Sequence, residues 1–187
     1  MGVCIADVAG KSISAALLMA NVQATVRAFA SDVSSPAWVC SHVNSVLCNN
    51  IARGKFVTFF YGVLDSAQHS FKYCSAGHVP PILVRADGAS EALKCEGAVL
   101  GVFPDWEYSD SSLQLTPGDR LVLFTDGASE ACTPEGDEYE EERIAAAAAR
   151  AVKLSGERIL QELISEVKAF CRFQLNDDLT LIVIAAD

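Results

Sequence analysis

The sequence predicts an α+β layered fold: helices near the N-terminus, a block of strands, two late helices and a closing strand. Three observations predict it. Apolar residues recur at helical spacing in the early and late segments, whereas β-branched and aromatic runs bounded by turn residues fill the middle. A final apolar run, Leu179-Thr180-Leu181-Ile182-Val183-Ile184, follows the last helical pattern. At 187 residues the chain is long enough for one domain with a substantial core, and no internal repeat or linker divides residues 1–187.

The elements follow in order. Val3-Cys4-Ile5-Ala6 reads as a strand ending at Asp7. Ser14 to Ala30 reads as a helix, with Ala15, Leu18, Met19, Val22, Val26 and Phe29 on one face. Ser35 then Pro36 supplies a cap and a first-turn proline for a second helix, expected to end near Gly54. Phe56–Leu64 and Phe71–Ala76 read as strands joined into a hairpin by Asp65-Ser66-Ala67-Gln68-His69. A short strand, Ile82 to Arg85, follows Pro80-Pro81, and a less regular stretch comes next. Thr116-Pro117-Gly118-Asp119 is a turn leading into a strand that ends at Asp126. Arg143–Ala151 and Ser155–Phe173 read as helices; the stripe Ile159, Leu160, Leu163, Ile164, Val167 and Phe170 is core-facing.

Three acidic clusters lie beside apolar runs: Asp7, Asp126 and Asp177-Asp178. The first two follow their strands and the third precedes its own. If the last strand runs opposite to the other two in one sheet, all three meet at one edge. Each Asp alone also fits a turn former. Gathered together, the carboxylates would raise one another's pKa, a conflict that a hard divalent cation such as Mg²⁺ or Mn²⁺ relieves.

Composition narrows the function. A net charge of −10 argues against nucleic acid or an anionic membrane as partner. No apolar stretch approaches the roughly 20 residues needed to span a bilayer, and Asp7 and Lys11 interrupt any signal-like start. Seven cysteines stand singly, without a Cys-x-x-Cys pair, which argues against zinc. An odd number of thiols fits a reducing compartment, and the expectation is cytoplasmic.

Ala9-Gly10-Lys11-Ser12 before a helix invites a phosphate-loop reading, but Ile5 stands where that motif needs its first glycine. His78, within Ser75-Ala76-Gly77-His78-Val79-Pro80-Pro81, could bind phosphate or donate a proton. As a loop histidine fixed by backbone hydrogen bonds it would look the same, and that reading is favoured. Nothing resembles a nucleophile elbow, and no cysteine has a histidine partner, so covalent catalysis finds little support.

The motifs taken together resemble a known family. Asp7-Val8-Ala9-Gly10-Lys11 with Ala15-Ala16-Leu17-Leu18-Met19 is similar to the Asp-Val-Ser-Gly-Lys-Gly…Ala-Ala-Leu-Met segment of SpoIIE/RsbU-type phosphatases, which are type 2C, metal-dependent serine/threonine protein phosphatases. Phe56 to Asp65, Ala76-Gly77-His78-Val79-Pro80-Pro81 and Val99-Leu100-Gly101 resemble its next segments. Pro117 to Leu121, Thr125 to Ala131 and Asp177-Asp178-Leu179-Thr180 complete the series in the family's order.

The resemblance implies an antiparallel β-sandwich flanked by helices. It implies Asp7, Asp126 and Asp177 as catalytic metal carboxylates holding two Mn²⁺ or Mg²⁺ ions, with the Val8 carbonyl as a further ligand and Asp178 as a neighbouring carboxylate. The implied substrate is a phosphoserine or phosphothreonine on a regulatory protein of the anti-sigma-factor antagonist type, with a sensor domain upstream. The chain departs from the family pattern in three places. Ser12 replaces a usual glycine, Glu140 stands where glycine is common, and the family's upstream Gly-Gly-Asp-x-x-Asp strand does not precede Asp7. The expectation is therefore an N-terminally incomplete domain whose strand edges self-associate as a homodimer. The alternative function is a catalytically impaired phosphatase-fold module that binds a signalling partner.

Overall fold

A computed structural model describes residues 1–11, 13–30, 35–51 and 54–186; the Ser12 departure lies outside them. In chain order the elements are β1 (Gly2–Val8), α1 (Ile13–Phe29), α2 (Pro36–Asn50), β2 (Val57–Asp65), β3 (Ser70–Ala76), β4 (Ile82–Val84), β5 (Ser90–Ala92), β6 (Ser111–Gln114), β7 (Arg120–Phe124), α3 (Asp126–Ser129), α4 (Glu141–Arg150), α5 (Gly156–Phe170) and β8 (Leu181–Ala185). They form two compact units. One comprises Met1–His78 with Lys94–Gln114, the other Val79–Leu93 with Leu115–Asp187.

The first unit is an antiparallel sheet in the order β1-β2-β3-β6 carrying α1 and α2. Alternation along β2 sends Val57, Phe59 and Tyr61 toward one face, where they pack with Val22 and Val26 of α1 and Val39, Val43 and Leu47 of α2. The opposite face carries the buried Phe60, Phe71 and Tyr73, whose rings lie 5.4 to 6.3 Å apart. Helix α2 begins as the sequence predicts: Ser35 accepts from the Trp38 N–H at 3.2 Å, with Pro36 in the first turn. It ends at Asn50 rather than near Gly54, because Ile51 is already extended and its N–H closes on Leu47.

The second unit is a sheet in the order β5-β4-β7-β8, also antiparallel. Val122 and Phe124 of β7 and Ile82 and Val84 of β4 pack with Ile144 and Ala148 of α4 and Ile159, Leu163 and Val167 of α5. The α5 stripe is core, as expected. Leu121 and Leu123 on the other face of β7 are also fully buried. The Thr116–Asp119 turn forms, with the Asp119 N–H on the Thr116 carbonyl at 3.0 Å. Asp119 locks it from inside: its carboxylate, 1% exposed, accepts from Arg85 at 2.9 Å, the Thr116 N–H at 2.9 Å and the Ala86 N–H at 3.2 Å. Burial pushes the Asp119 carboxyl up, but these donors outweigh it and hold it below its ordinary value.

Several boundaries differ from expectation for local reasons. The last helix stops at Phe170, short of Phe173, because Arg172 and Phe173 adopt φ of 50° and 64°. The short, polar β5 and β6 carry too little alternation to be predicted, and the strand expected to end at Asp126 stops at Phe124, with Asp126 opening α3. Glu140, where the family commonly has glycine, takes φ 67° and ψ 158°, a conformation that suits glycine. Cys4 is exposed, whereas Cys40, Cys74 and Cys171 are buried as small apolar residues. The three acidic clusters do not share a sheet, because β1 pairs only with β2 in the first sheet while β7 and β8 pair in the second. The sheet orders put β1 and β8 each at an edge. Among the described residues no helix is long and apolar enough to cross a membrane.

Candidate metal centre

In the first unit, Asp7 stands one residue before the end of β1. Ala6 and Val8 pack toward the helices, so Asp7 shares the opposite face with Ile5. Its register partner is Thr58 on β2, and Val8 faces Val57. Directly opposed residues of an antiparallel pair project to the same side with Cβ atoms about 5 Å apart. Thr58 therefore lies beside the half-buried Asp7, and its Oγ1 is 2.9 Å from His78 Nδ1. His78 is 4% exposed. The ring that the sequence placed in a loop is thus held by the side chain of Asp7's own strand partner. Beyond β1, the Ala9 N–H donates to Phe56 O at 3.0 Å and Lys55 Nζ to Ala9 O at 2.9 Å. Gly10 then turns the chain with φ 97° toward α1. Here φ is positive, so glycine is the residue of choice.

In the second unit, β7 and β8 run antiparallel with Phe124 opposite Leu181, so Asp126 after the first and Asp177-Asp178 before the second meet at one end. Thr125, 3% exposed, ties them together. Its N–H donates to Thr180 O at 3.1 Å, and its hydroxyl donates to Asp178 O at 3.0 Å while accepting the Thr180 N–H at 3.1 Å. Gly127 completes the fit: a Cβ there would collide with the Asp178 carbonyl. Asp126 opens α3, and the Glu130 N–H returns to Asp126 O at 2.7 Å. The Asp178 N–H donates to Asp177 Oδ1 at 2.8 Å, fixing that carboxylate's orientation.

Partial desolvation, then the negative charges of Asp126, Glu138 and Asp177, push the Glu130 carboxyl above its ordinary value. Among the described residues no group of three or more His, Cys, Asp or Glu is gathered closely enough to hold a metal ion. The donor chemistry nevertheless fits a hard divalent cation: Asp126, Asp177 and Asp178 offer carboxylate oxygens at one strand end, and Asp7 and the Val8 carbonyl offer oxygens at another.

The structure thus sets Asp126, Asp177 and Asp178 at the same end of the β7–β8 pair, and Asp7 and Val8 at the end of β1. Sequence reasoning missed Thr125, Thr58, Glu130 and Glu138. A threonine directly before a helix-opening Asp was the available signal for Thr125. The others have no sequence signature, since strand register and the return of the Glu138 segment place them.

The family model described as Stage II sporulation protein E (SpoIIE) matches residues 1–187. Phosphoserine phosphatase RsbU of Bacillus subtilis is 31% identical over 185 residues, covering 98% of this chain and 55% of RsbU. The chain thus spans about half the length of that relative. The SiaA-PP2C domain of Pseudomonas aeruginosa superposes with a TM-score of 0.88 at 17% identity, over 100% of this chain and 76% of that one. RsbX, solved in complex with magnesium, gives a TM-score of 0.68 at 22% identity over 96% of this chain and 78% of that one. These neighbours fix the fold as that of type 2C phosphatase domains. With its whole length under the family model, the chain belongs to the SpoIIE family.

Proposed function

We propose that this chain is a divalent-metal-dependent protein serine/threonine phosphatase whose substrate is a phosphorylated regulatory protein of the anti-sigma-factor antagonist type. The observation that carries the reading is the Thr125 clamp, which holds Asp126 and Asp177-Asp178 at one strand end. Kinship with a named phosphoserine phosphatase supports it.

In this reading Asp7 with the Val8 carbonyl, Asp126 and Asp177 hold two Mn²⁺ or Mg²⁺ ions, with Asp178 alongside. Bound there, the ions would supply an acidified water and positive charge for in-line displacement at phosphorus. The chain's own residues orient and fix. Thr125 holds the Asp177–Thr180 turn against β7, and the Asp178 N–H fixes the Asp177 carboxylate. The Ser129 hydroxyl donates to the Asp126 carbonyl at 3.4 Å, and the reading needs no covalent phosphoenzyme. The reading implies the cytoplasm, in keeping with seven free thiols. Phosphate release from a phosphoserine peptide in Mn²⁺, with Asp126→Asn beside the wild type, tests it. Release that is lost in the folded variant is the expected result, and full activity in the variant removes Asp126 from the site.

A further inference from the structure

Residues 101 to 107 present an apolar surface that the folding of the chain does not use. Val102, Phe103 and Trp106 are 44%, 52% and 45% exposed. The Phe103 and Trp106 rings lie 6.1 Å apart, and the Trp106 N–H closes a turn onto Phe103 O at 3.2 Å. The segment is nonetheless firmly anchored. Asn44 of α2, 1% exposed, spends both ends of its amide on it, donating to Phe103 O and accepting the Gly101 N–H, each at 2.9 Å. Leu100 and Val57 exchange two backbone hydrogen bonds, at 2.9 and 3.1 Å, and the Tyr108 hydroxyl closes the far side on Ala98 O at 2.9 Å. The buried Asn44 amide, satisfied on this loop, fixes two aromatic rings in place at the surface. Rigid, exposed Trp and Phe are the side chains that carry binding energy at protein interfaces.

Charge and position define the occupant. Asp105 and Glu107 flank Trp106, and no Lys, Arg or His stands between Lys94 and Arg120. An exposed indole flanked in sequence by two acidic residues suits a partner carrying a guanidinium or ammonium group. The loop leaves the sheet beside Val57, whose other neighbour is Val8, next to Asp7.

We propose that Gly101–Glu107 is a docking surface for the phosphoprotein substrate, which lays on it an apolar segment carrying Arg or Lys. This rests on the phosphatase reading above. Phe103 and Trp106 act as the apolar contacts, and Asp105 and Glu107 select the basic residue. These residues set substrate affinity and leave the chemical step alone.

The test uses two labelled phosphoserine peptides, one with Leu and Arg around the phosphoserine and one with Leu and Glu, alongside p-nitrophenyl phosphate. Trp106→Ala and Phe103→Ala should raise KM for the Arg peptide at least about tenfold, with kcat and p-nitrophenyl phosphate turnover unchanged. Asp105→Lys with Glu107→Lys should reverse the preference toward the Glu peptide, whereas Glu162→Lys on α5 should not. An unchanged KM in the two alanine variants, with p-nitrophenyl phosphate hydrolysed normally, overturns the docking surface and leaves the phosphatase standing. Failure of the folded wild type to hydrolyse any of the three esters in Mn²⁺ overturns the phosphatase reading instead. Fluorescence anisotropy of the Arg peptide then reads the surface by itself: binding lost in Trp106→Ala keeps it, and equal binding in every variant removes it.

Discussion

Replacing Thr58 with valine deletes one oxygen from a β-branched side chain and leaves its shape and strand preference nearly intact. That oxygen is the 2.9 Å partner of His78 Nδ1, and His78 is 4% exposed, so water cannot readily replace it. Stranding a buried polar group costs about 1–3 kcal/mol. For a chain of this size each kcal/mol lowers Tm by roughly 2–4 °C, so a fall of several degrees is expected in thermal melts followed by circular dichroism. Thr58→Ser, which keeps the hydroxyl, should lose less. His78→Asn places a nitrogen near the Nδ1 position and should be milder than His78→Ala. Because Thr58 sits opposite Asp7, the valine variant should also weaken Mn²⁺ binding in calorimetry. A Thr58→Val protein within about 0.5 kcal/mol of wild type, with Mn²⁺ affinity unchanged, would refute the idea that His78 and Thr58 brace the Asp7 strand end.

Glu140→Gly should stabilise the fold by about 1 kcal/mol, since it relieves a positive φ of 67° at the head of α4; an unchanged Tm contradicts the strain. Asp119 has a folded pKa held below its ordinary value of 3.8, so its contribution is fully present above that value and disappears as pH falls through the lower folded one. Acid unfolding should therefore steepen below about pH 4, and Asp119→Asn should flatten that limb in equilibrium melts while lowering stability at pH 7. Mn²⁺ should stabilise the fold through linkage by about 2.7 kcal/mol at a hundredfold excess over its dissociation constant and so raise Tm, and Asp126→Asn should abolish the shift in differential scanning fluorimetry.

The fold was legible where local chemistry decides structure. Ser35-Pro36 marked the start of α2, the Ile159–Val167 stripe marked the core face of α5, and the Asp65–His69 turn marked the β2–β3 hairpin. It was illegible where tertiary partners decide. The polar residues of β5 and β6 become strands only because β4 and β3 offer them edges to pair with. The candidate site divides in the same way. Asp126 and Asp177-Asp178 announced themselves by standing at opposite ends of antiparallel apolar runs. The expectation of a single sheet failed because periodicity says which residues form a strand and not which strand it joins. Thr125 could have been read as a cap. What its hydroxyl does, bonding across to Asp178 and Thr180 rather than to its own helix, depends on β8 returning beside β7.

The central proposal is that Asp126 and Asp177, at the adjoining ends of β7 and β8, serve a divalent-metal phosphatase. It is tested most directly by phosphate release from a phosphoserine protein substrate, with and without Mn²⁺. Release should require the metal, vanish with EDTA, and be lost in Asp126→Asn and Asp177→Asn while both variants keep the wild-type circular dichroism spectrum. Release that survives EDTA, or that persists in both variants, would contradict the account.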